Sequence, residues 1–568
     1  MNEKNGVRSG KLKFVLIGVA AVAAIAVLAF FLLNSAGFNV PGDYRTIQEA
    51  VEAAKDGDVI VVEPGVYYER IDFMGKNITI RSTDPENPEV VAATVIDGRR
   101  RGSVFTFSSG EGSDAVLKGF TITGGVGTFL TLTHDYEGEE VTNEGNYGGG
   151  ILISGGSSPT IINNVIRGNG VDMDGGGISI QDGSSPTIKN NIFDSNSAFN
   201  GGAISIWRSN PIVEDNELKN NRANYLGGAI LVDFDSSPSI SNNNIHNNGS
   251  TSGGGIAVWL ADPLISSNTI YINSAIWFGG GIAVFDASPV IDSNDITRNT
   301  AINNGGGIAV AEKSSPIISN NNIARNYTEE NGGGIAVVEN SAPIISDNTI
   351  NGNAVLFGGG GIYVNDSSAE ISGGEITDNL VQQDGGGVAA VNGSSIYIAA
   401  TVIDGNAAGR VGGGLVVGEG STLNIEDSTV SSNKATTGGG MIVQRSSLIM
   451  NRSLITDNEG QSGSGGGILM VVNSVGEIRD TIFTGNIAFE FGGGLVVFDE
   501  SAVLLRGNDF TGNRAQMGGA FIGFGDASID LADPDDNTYS LNVPEDVDPE
   551  DLEDEDEAEE DTEDEEEE

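Results

Sequence analysis

No cysteine occurs in the 568 residues, which excludes disulfides and thiolate chemistry and leaves cohesion to other forces. Histidine is almost absent. His134 and His246 are the two present; neither has a visible partner, so histidine acid–base chemistry has little to build on. Basic residues number 28 against 79 acids, for a formal net charge of −51. A body this acidic repels phosphate backbones and anionic lipid. That excludes nucleic acid as a partner and leaves cations, neutral sugars or basic proteins. Amphipathic helices are missing too, because no window carries an apolar period of ~3.6 residues and Gly and Asn are spread throughout.

Glycine fills the space those absences leave, with 83 residues gathered in clusters. The first residue after each cluster recurs every 26 or 27 positions, from Ile151, Ile178, Ile204, Ile230, Ile256 and Ile282 through to Leu495 and Phe521. A period of this length means stacked repeats. Within "GGGISIQDGSSPTIKNNIFDSN" three short β-segments are separated by turn-forming residues, with no helix between them. One unit therefore makes one triangular turn of a parallel coil, and each segment pairs with its counterpart ~4.8 Å along the axis. The extra residue in the longer units goes into a turn, since each coil touches only its neighbours.

Asparagine supplies the second regularity. Asn169, Asn196, Asn221, Asn248, Asn273, Asn299, Asn326 and Asn353 hold one position of the repeat, and a second column runs from Asn164 to Asn348. Amides stacked at strand spacing bond to one another and to turn backbone, so both columns are read as structural ladders.

The chain divides by composition. Residues 1–13 are a basic, cytoplasmic segment, and residues 14–33, "FVLIGVAAVAAIAVLAFFLL", are an uncharged run long enough to span a bilayer. Lys4, Arg8, Lys11 and Lys13 before it should hold the N-terminus inside, placing the rest beyond the membrane. The alternative is a cleaved signal peptide and a secreted body, for which "LLNSAGF" offers a poor cleavage site. A linker at 34–39 follows. Residues 40–147 are read as a helix that lids the first coil, opened by the capping box Thr46-Ile47-Gln48-Glu49, then irregular coils with a loop at 128–146. Regular coils occupy 148–532. The last stretch, 533–568, holds 22 acidic residues and no base and is expected to be a disordered, solvated tail.

Two surface columns invite ligands. Trp207, Phe234, Trp259 and Phe285 stand at or just past the end of the first strand on consecutive coils. Alternation turns them outward, where a row of aromatics could stack on sugar rings. Beside them lie Asp235, Asp262 and Asp286, oxygen donors of the kind calcium prefers.

The stretches "VPGDYRTIQEAVEAAKDGDVIVVEPGVYYERIDFMGKNITIRS" and "VIDGRRRGSVFTF" resemble bacterial right-handed parallel β-helix proteins of the pectin-lyase-like superfamily. "FDSNSAFNGGAI" from Phe193 and "FTGNRAQMGGAF" from Phe510 are similar to the repeats of polymorphic outer-membrane proteins, which pair FxxN with GGA. The resemblance implies an all-β, right-handed parallel β-helix with three short strands per coil. It does not choose an activity, because this scaffold hosts lyases, hydrolases, esterases, epimerases and passive adhesins. The motifs those enzymes carry, such as "QDT", "DPH" or "RxPxxR", do not occur, and "DD" appears only at Asp535-Asp536. The expected function is a non-catalytic, membrane-tethered adhesin or glycan-binding rod, whose partners are a membrane and a polysaccharide or surface protein. A polysaccharide lyase, hydrolase or epimerase built from scattered carboxylates is the alternative.

Overall fold

The computed structural model describes residues 38–136, 138–531 and 536–544. The expected membrane segment 14–33 lies outside them; among the described residues no helix is long and apolar enough to cross a membrane.

The glycine-led segments stack as the repeat requires. Ile204–Trp207 pairs in parallel with Ile230–Asp233, which pairs with Ile256–Trp259 and then with Ile282–Phe285, residue over residue. Two further parallel sheets close the triangle, one through Thr187–Lys189 and Ile212–Glu214, the other through Ile192–Asp194 and Glu217–Lys219. The result is a β-solenoid of about 17 turns. One apolar core, from Val40 to Ala520, runs its length with all three sheets facing inward.

Several boundaries differ from the sequence reading. The coil has a fourth side: a 12-stranded sheet of very short strands, beginning at Ser197–Ala198, forms where the chain leaves the asparagine column and extends toward the glycines. Phe38 and Asn39, expected in the linker, belong to a first strand Phe38–Val40 that pairs with Val59–Val62. The helix Ile47–Ala53 follows, capped by Thr46, whose hydroxyl accepts from the Glu49 N–H; Ile47, Ala50 and Val51 enter the core at that end.

The segment 128–146 is a β-hairpin rather than a loop. Thr128–Tyr136 pairs antiparallel with Glu139–Tyr147 over all nine positions, and Gly138 turns at φ 84°. Its alternating threonines and apolar residues suit a two-faced ribbon.

The shaft also continues past residue 532. Thr538–Ser540 pairs with Asp509–Thr511, Tyr539 stacks 5.8 Å from Phe510, and Asn537 and Asn542 prolong both amide columns. A final coil forms despite its acidic surroundings, because it offers the same amides and an inward aromatic.

Both asparagine columns are single files. From Asn169 to Asn353 each side-chain amide donates to the Oδ1 of the next at 3.0–3.1 Å. Each of these amides also donates to a carbonyl of the preceding coil, as Asn299 does to Ile270. Beyond Asn348 the second column passes to hydroxyls: the Thr401 N–H donates to Ser428 Oγ at 3.2 Å.

The glycine cluster is a site of backbone contact. Gly279 sits at φ 62°, and a Cβ on Gly280 would lie 2.5 Å from the carbonyl oxygens of both Gly306 and Thr300. Gly281 is less confined, and its column carries alanine at Ala203 and Ala229. Gly280→Ala is expected to cost about 3 kcal/mol and Gly281→Ala about 1, read as urea midpoints.

Candidate functional site

Alternation along the glycine-led strands turns Ser205, Leu231, Ala257 and Ala283 outward, and beside them the file Trp207, Asp233, Trp259, Phe285. The aromatic row expected from the sequence is therefore corrected at one place. Phe234 is one residue past the file, in the turn at φ 34°, and an aspartate holds the paired position. Phe234 still reaches the same surface, its ring 5.6 Å from that of Trp259 and edge-on to it.

Nor do these rings stand open on a bare face. Trp207 is 9 % exposed and Phe285 7 %: Trp207 faces the hairpin residues Leu132, Val141 and Tyr147 across one cavity, and Phe285 joins outward-facing Leu231, Ala257 and Ala283 in a second apolar layer roofed from the side by Leu226 and Phe278. Trp277, on the neighbouring rim, is the exposed ring, at 54 %. The outer face is thus the floor of a groove.

Two cavities make up that groove and meet at Trp259. One, of ≈ 510 Å³, is lined by Tyr225, Trp277, Phe278, Phe285, Glu312 and Glu339 among others. Burial, then the charges of Glu339 and Asp286, raise the carboxyl of Glu312 above the ordinary range. The other cavity, of ≈ 260 Å³, lies under the hairpin, whose Leu132, Val141 and Tyr147 form one wall. Its polar lining includes Asp174, Asp233 and Gln181. Among the described residues no Lys or Arg lines either cavity, although the Arg208 guanidinium sits 5.2 Å from the Trp207 ring.

Sequence reasoning missed this pair of acids. Asp174 precedes a glycine cluster and bridges to Asn200 on the next coil. Its Oδ1 accepts from Asn200 Nδ2 at 3.0 Å. Burial pushes it up to about 7, against that hydrogen bond. Asp233 accepts from the Phe234 N–H at 2.8 Å and is raised well above the carboxylate range, first by burial and then by the charge of Asp174. Tyr147, fully enclosed, is raised by burial and by Asp174 and Asp172, so its hydroxyl stays neutral. Strict counting from each glycine cluster would have found Asp233, three residues after Ile230 as Trp207 is three after Ile204.

Asp235, Asp262 and Asp286 do not gather as a calcium site. Asp235 and Asp286 are turn residues at φ 47° and 43°, conformations Asp tolerates by local hydrogen bonding. Asp262 lies outside that file and accepts from the Ser288 N–H at 2.7 Å. Among the described residues no three His, Cys, Asp or Glu side chains converge on a metal position. His246 stacks on Tyr271 at 4.8 Å and lies 3.3 Å from Glu217, on a different sheet from the groove.

The chain belongs to the family described as the right handed beta helix region, which matches residues 104–270, 228–403 and 399–543. No curated protein matches it. Among solved structures, a PL6 family alginate lyase, AlyGC, aligns at 12% identity over 89% of this chain and 99% of its own, with a TM-score of 0.25. An arginine-to-alanine variant of that lyase aligns at 12% identity over 89% and 100%, with a TM-score of 0.21. At those scores the likeness carries no argument about this chain's reaction.

Proposed function

We propose that this protein is a membrane-tethered, extracytoplasmic β-solenoid that binds a neutral polysaccharide along the groove over its glycine-led sheet. One observation carries the reading: Trp207, Trp259 and Phe285 lie in file on the groove floor with Trp277 on its rim, across coils spaced for an extended chain. Phe285 stands one coil from Trp259, ~4.8 Å along the axis, and Trp207 two coils away on the other side, ~9.6 Å, spacings on the scale of one and two sugar units. A lining of acids without Lys or Arg, on a chain of net charge −51, favours uncharged sugars over polyuronates. The uncharged run at 14–33 after four basic residues supports the tether.

Retention on immobilised neutral glycans tests the groove. Removing rings by Trp259→Ala with Trp277→Ala should weaken binding about 10- to 100-fold, a loss of about 1.4–2.7 kcal/mol, as expected for truncating central aromatic anchors. Unchanged retention, with an unchanged melting curve, would reject the reading. For the tether, the full-length chain should sediment with membranes and require detergent for release; release by alkaline carbonate alone would reject it.

A further inference from the structure

We infer that Asp174 and Asp233, beneath the hairpin formed by Thr128–Tyr136 and Glu139–Tyr147, are an acid–base pair that hydrolyses a glycosidic bond of the neutral polysaccharide held in the groove. The inference rests on the groove reading above and adds a reaction to it.

Hydrogen bonds from Asn200 and from the Phe234 N–H hold these acids in place but do not offset their charge. Among the described residues no Lys, Arg or His forms an ion pair with either. Burying a carboxyl without a cation destabilises a fold. Other coils show that the scaffold does not need acids there: the position of Asp174 is Asn200, Leu226, Ser252 or Phe278 elsewhere, and that of Asp233 is Trp207, Trp259 or Phe285.

A second observation points to a ligand. Gln181, 1 % exposed, lines the same cavity; its Nε2 donates to Ser179 Oγ at 2.8 Å, but its Oε1 has no partner. A buried amide oxygen left in this state awaits a donor, and a sugar hydroxyl supplies one. The cavity, at ≈ 260 Å³, is on the scale of a single sugar unit, with Trp207, Phe234 and Trp259 beside it for stacking.

Asp174 and Asp233 line the same cavity from coils two apart, and the charge of one disfavours ionisation of the other. Asp233 faces burial and the Asp174 charge and keeps the proton; Asp174, which accepts from Asn200, ionises first. In the reaction Asp233 gives its proton to the bridging oxygen as the bond from that oxygen to the anomeric carbon breaks. Asp174 takes a proton from a water molecule whose oxygen bonds to the same carbon. Water is the only co-reactant, two hydroxyl ends are the products, and nothing is oxidised or reduced. Tyr147, Asp172 and Arg208 are further ionisable groups close to this machinery.

The test uses the full chain with soluble neutral polysaccharides (xylan, mannan, β-glucan and α-glucan), with alginate and polygalacturonate as charged controls. New reducing ends should appear from a neutral polymer. Turnover should fall about 100- to 10,000-fold in Asp174→Asn and in Asp233→Asn, the range general acid–base groups supply. The double variant should be no worse than either single one, as expected of residues acting as a unit. Retention, carried by the aromatic floor, should fall far less than turnover, and melting curves check that each variant folds. Polymer retained without new reducing ends would overturn this inference and leave the groove reading standing. Unsaturated products from alginate or polygalacturonate would overturn it in favour of elimination. A chain that retains no polymer would overturn both.

Discussion

Asn299→Ala should lower the stability of the shaft by about 3–5 kcal/mol, since it strands a buried donor worth ~1–3 kcal/mol and removes several hydrogen bonds of ~1 kcal/mol each. Asn299 is 0 % exposed. Its Oδ1 accepts both the backbone N–H and the side-chain amide of Asn273, at 3.0 and 3.1 Å. Its own amide donates to Ile270 O at 2.8 Å and to Asn326 Oδ1 at 3.1 Å. Alanine leaves the Asn273 N–H facing a void that no water reaches easily. Asn299→Asp should be worse at neutral pH, because a carboxylate can accept from Asn273 but would confront the oxygens of Ile270 and Asn326. Its loss should shrink on acidification, when a protonated acid can donate to one of them. In the second column Asn294→Ser should be milder than Asn294→Ala, because that column already runs through hydroxyls at Thr401 and Ser428. Urea denaturation across the series reads these differences; an Asn299→Ala midpoint equal to wild type would show that the ladder contributes no stability.

Asp174→Asn should stabilise the protein at pH 8 and leave it unchanged at pH 4. The folded carboxyl titrates at about 7 against an ordinary 3.8, so between those values the folded state holds a proton that the unfolded chain has lost. Stability is therefore full below the lower value and declines as pH rises through the upper one. Asparagine escapes that decline. The gain at pH 8 should be about 2–4 kcal/mol, the upper figure being the whole displacement and the lower allowing for water at the cavity mouth. Thermal unfolding at the two pH values measures it, and a variant less stable than wild type at pH 8 would contradict the burial described for Asp174. The same substitution that strengthens the fold should remove turnover, as expected where acids are kept for chemistry.

The shaft was legible because its physics is local and repeated. A fixed period, an asparagine at one place in each unit and glycine at another leave few ways to pair the segments. The last coil was written in the same letters: Asn537 and Asn542 stand five apart, as Asn508 and Asn513 do. The surrounding acids hid it. The hairpin was hidden by its break in the period, although "TFLTLT" alternates as a strand should.

The groove was less legible for a different reason. Trp207 and Phe285 do turn away from the core, as alternation required, but what covers them comes from the fourth side of the coil and from the hairpin. Lateral neighbours of that kind leave no periodic mark along the chain. Asp233 was lost to a miscount of one, because the aromatic Phe234 drew the column toward itself. Asp174 was lost because an Asp beside glycines reads as a turn residue.

Every amide of the ladder looks the same way along the axis, and each coil recognises nothing beyond the one before and the one after. Excising or duplicating one complete unit in the regular region would therefore restore the bonds of the first amide column across the join. Reach is thereby a length that gain or loss of whole units changes in steps of one coil, while the groove near the hairpin keeps its composition.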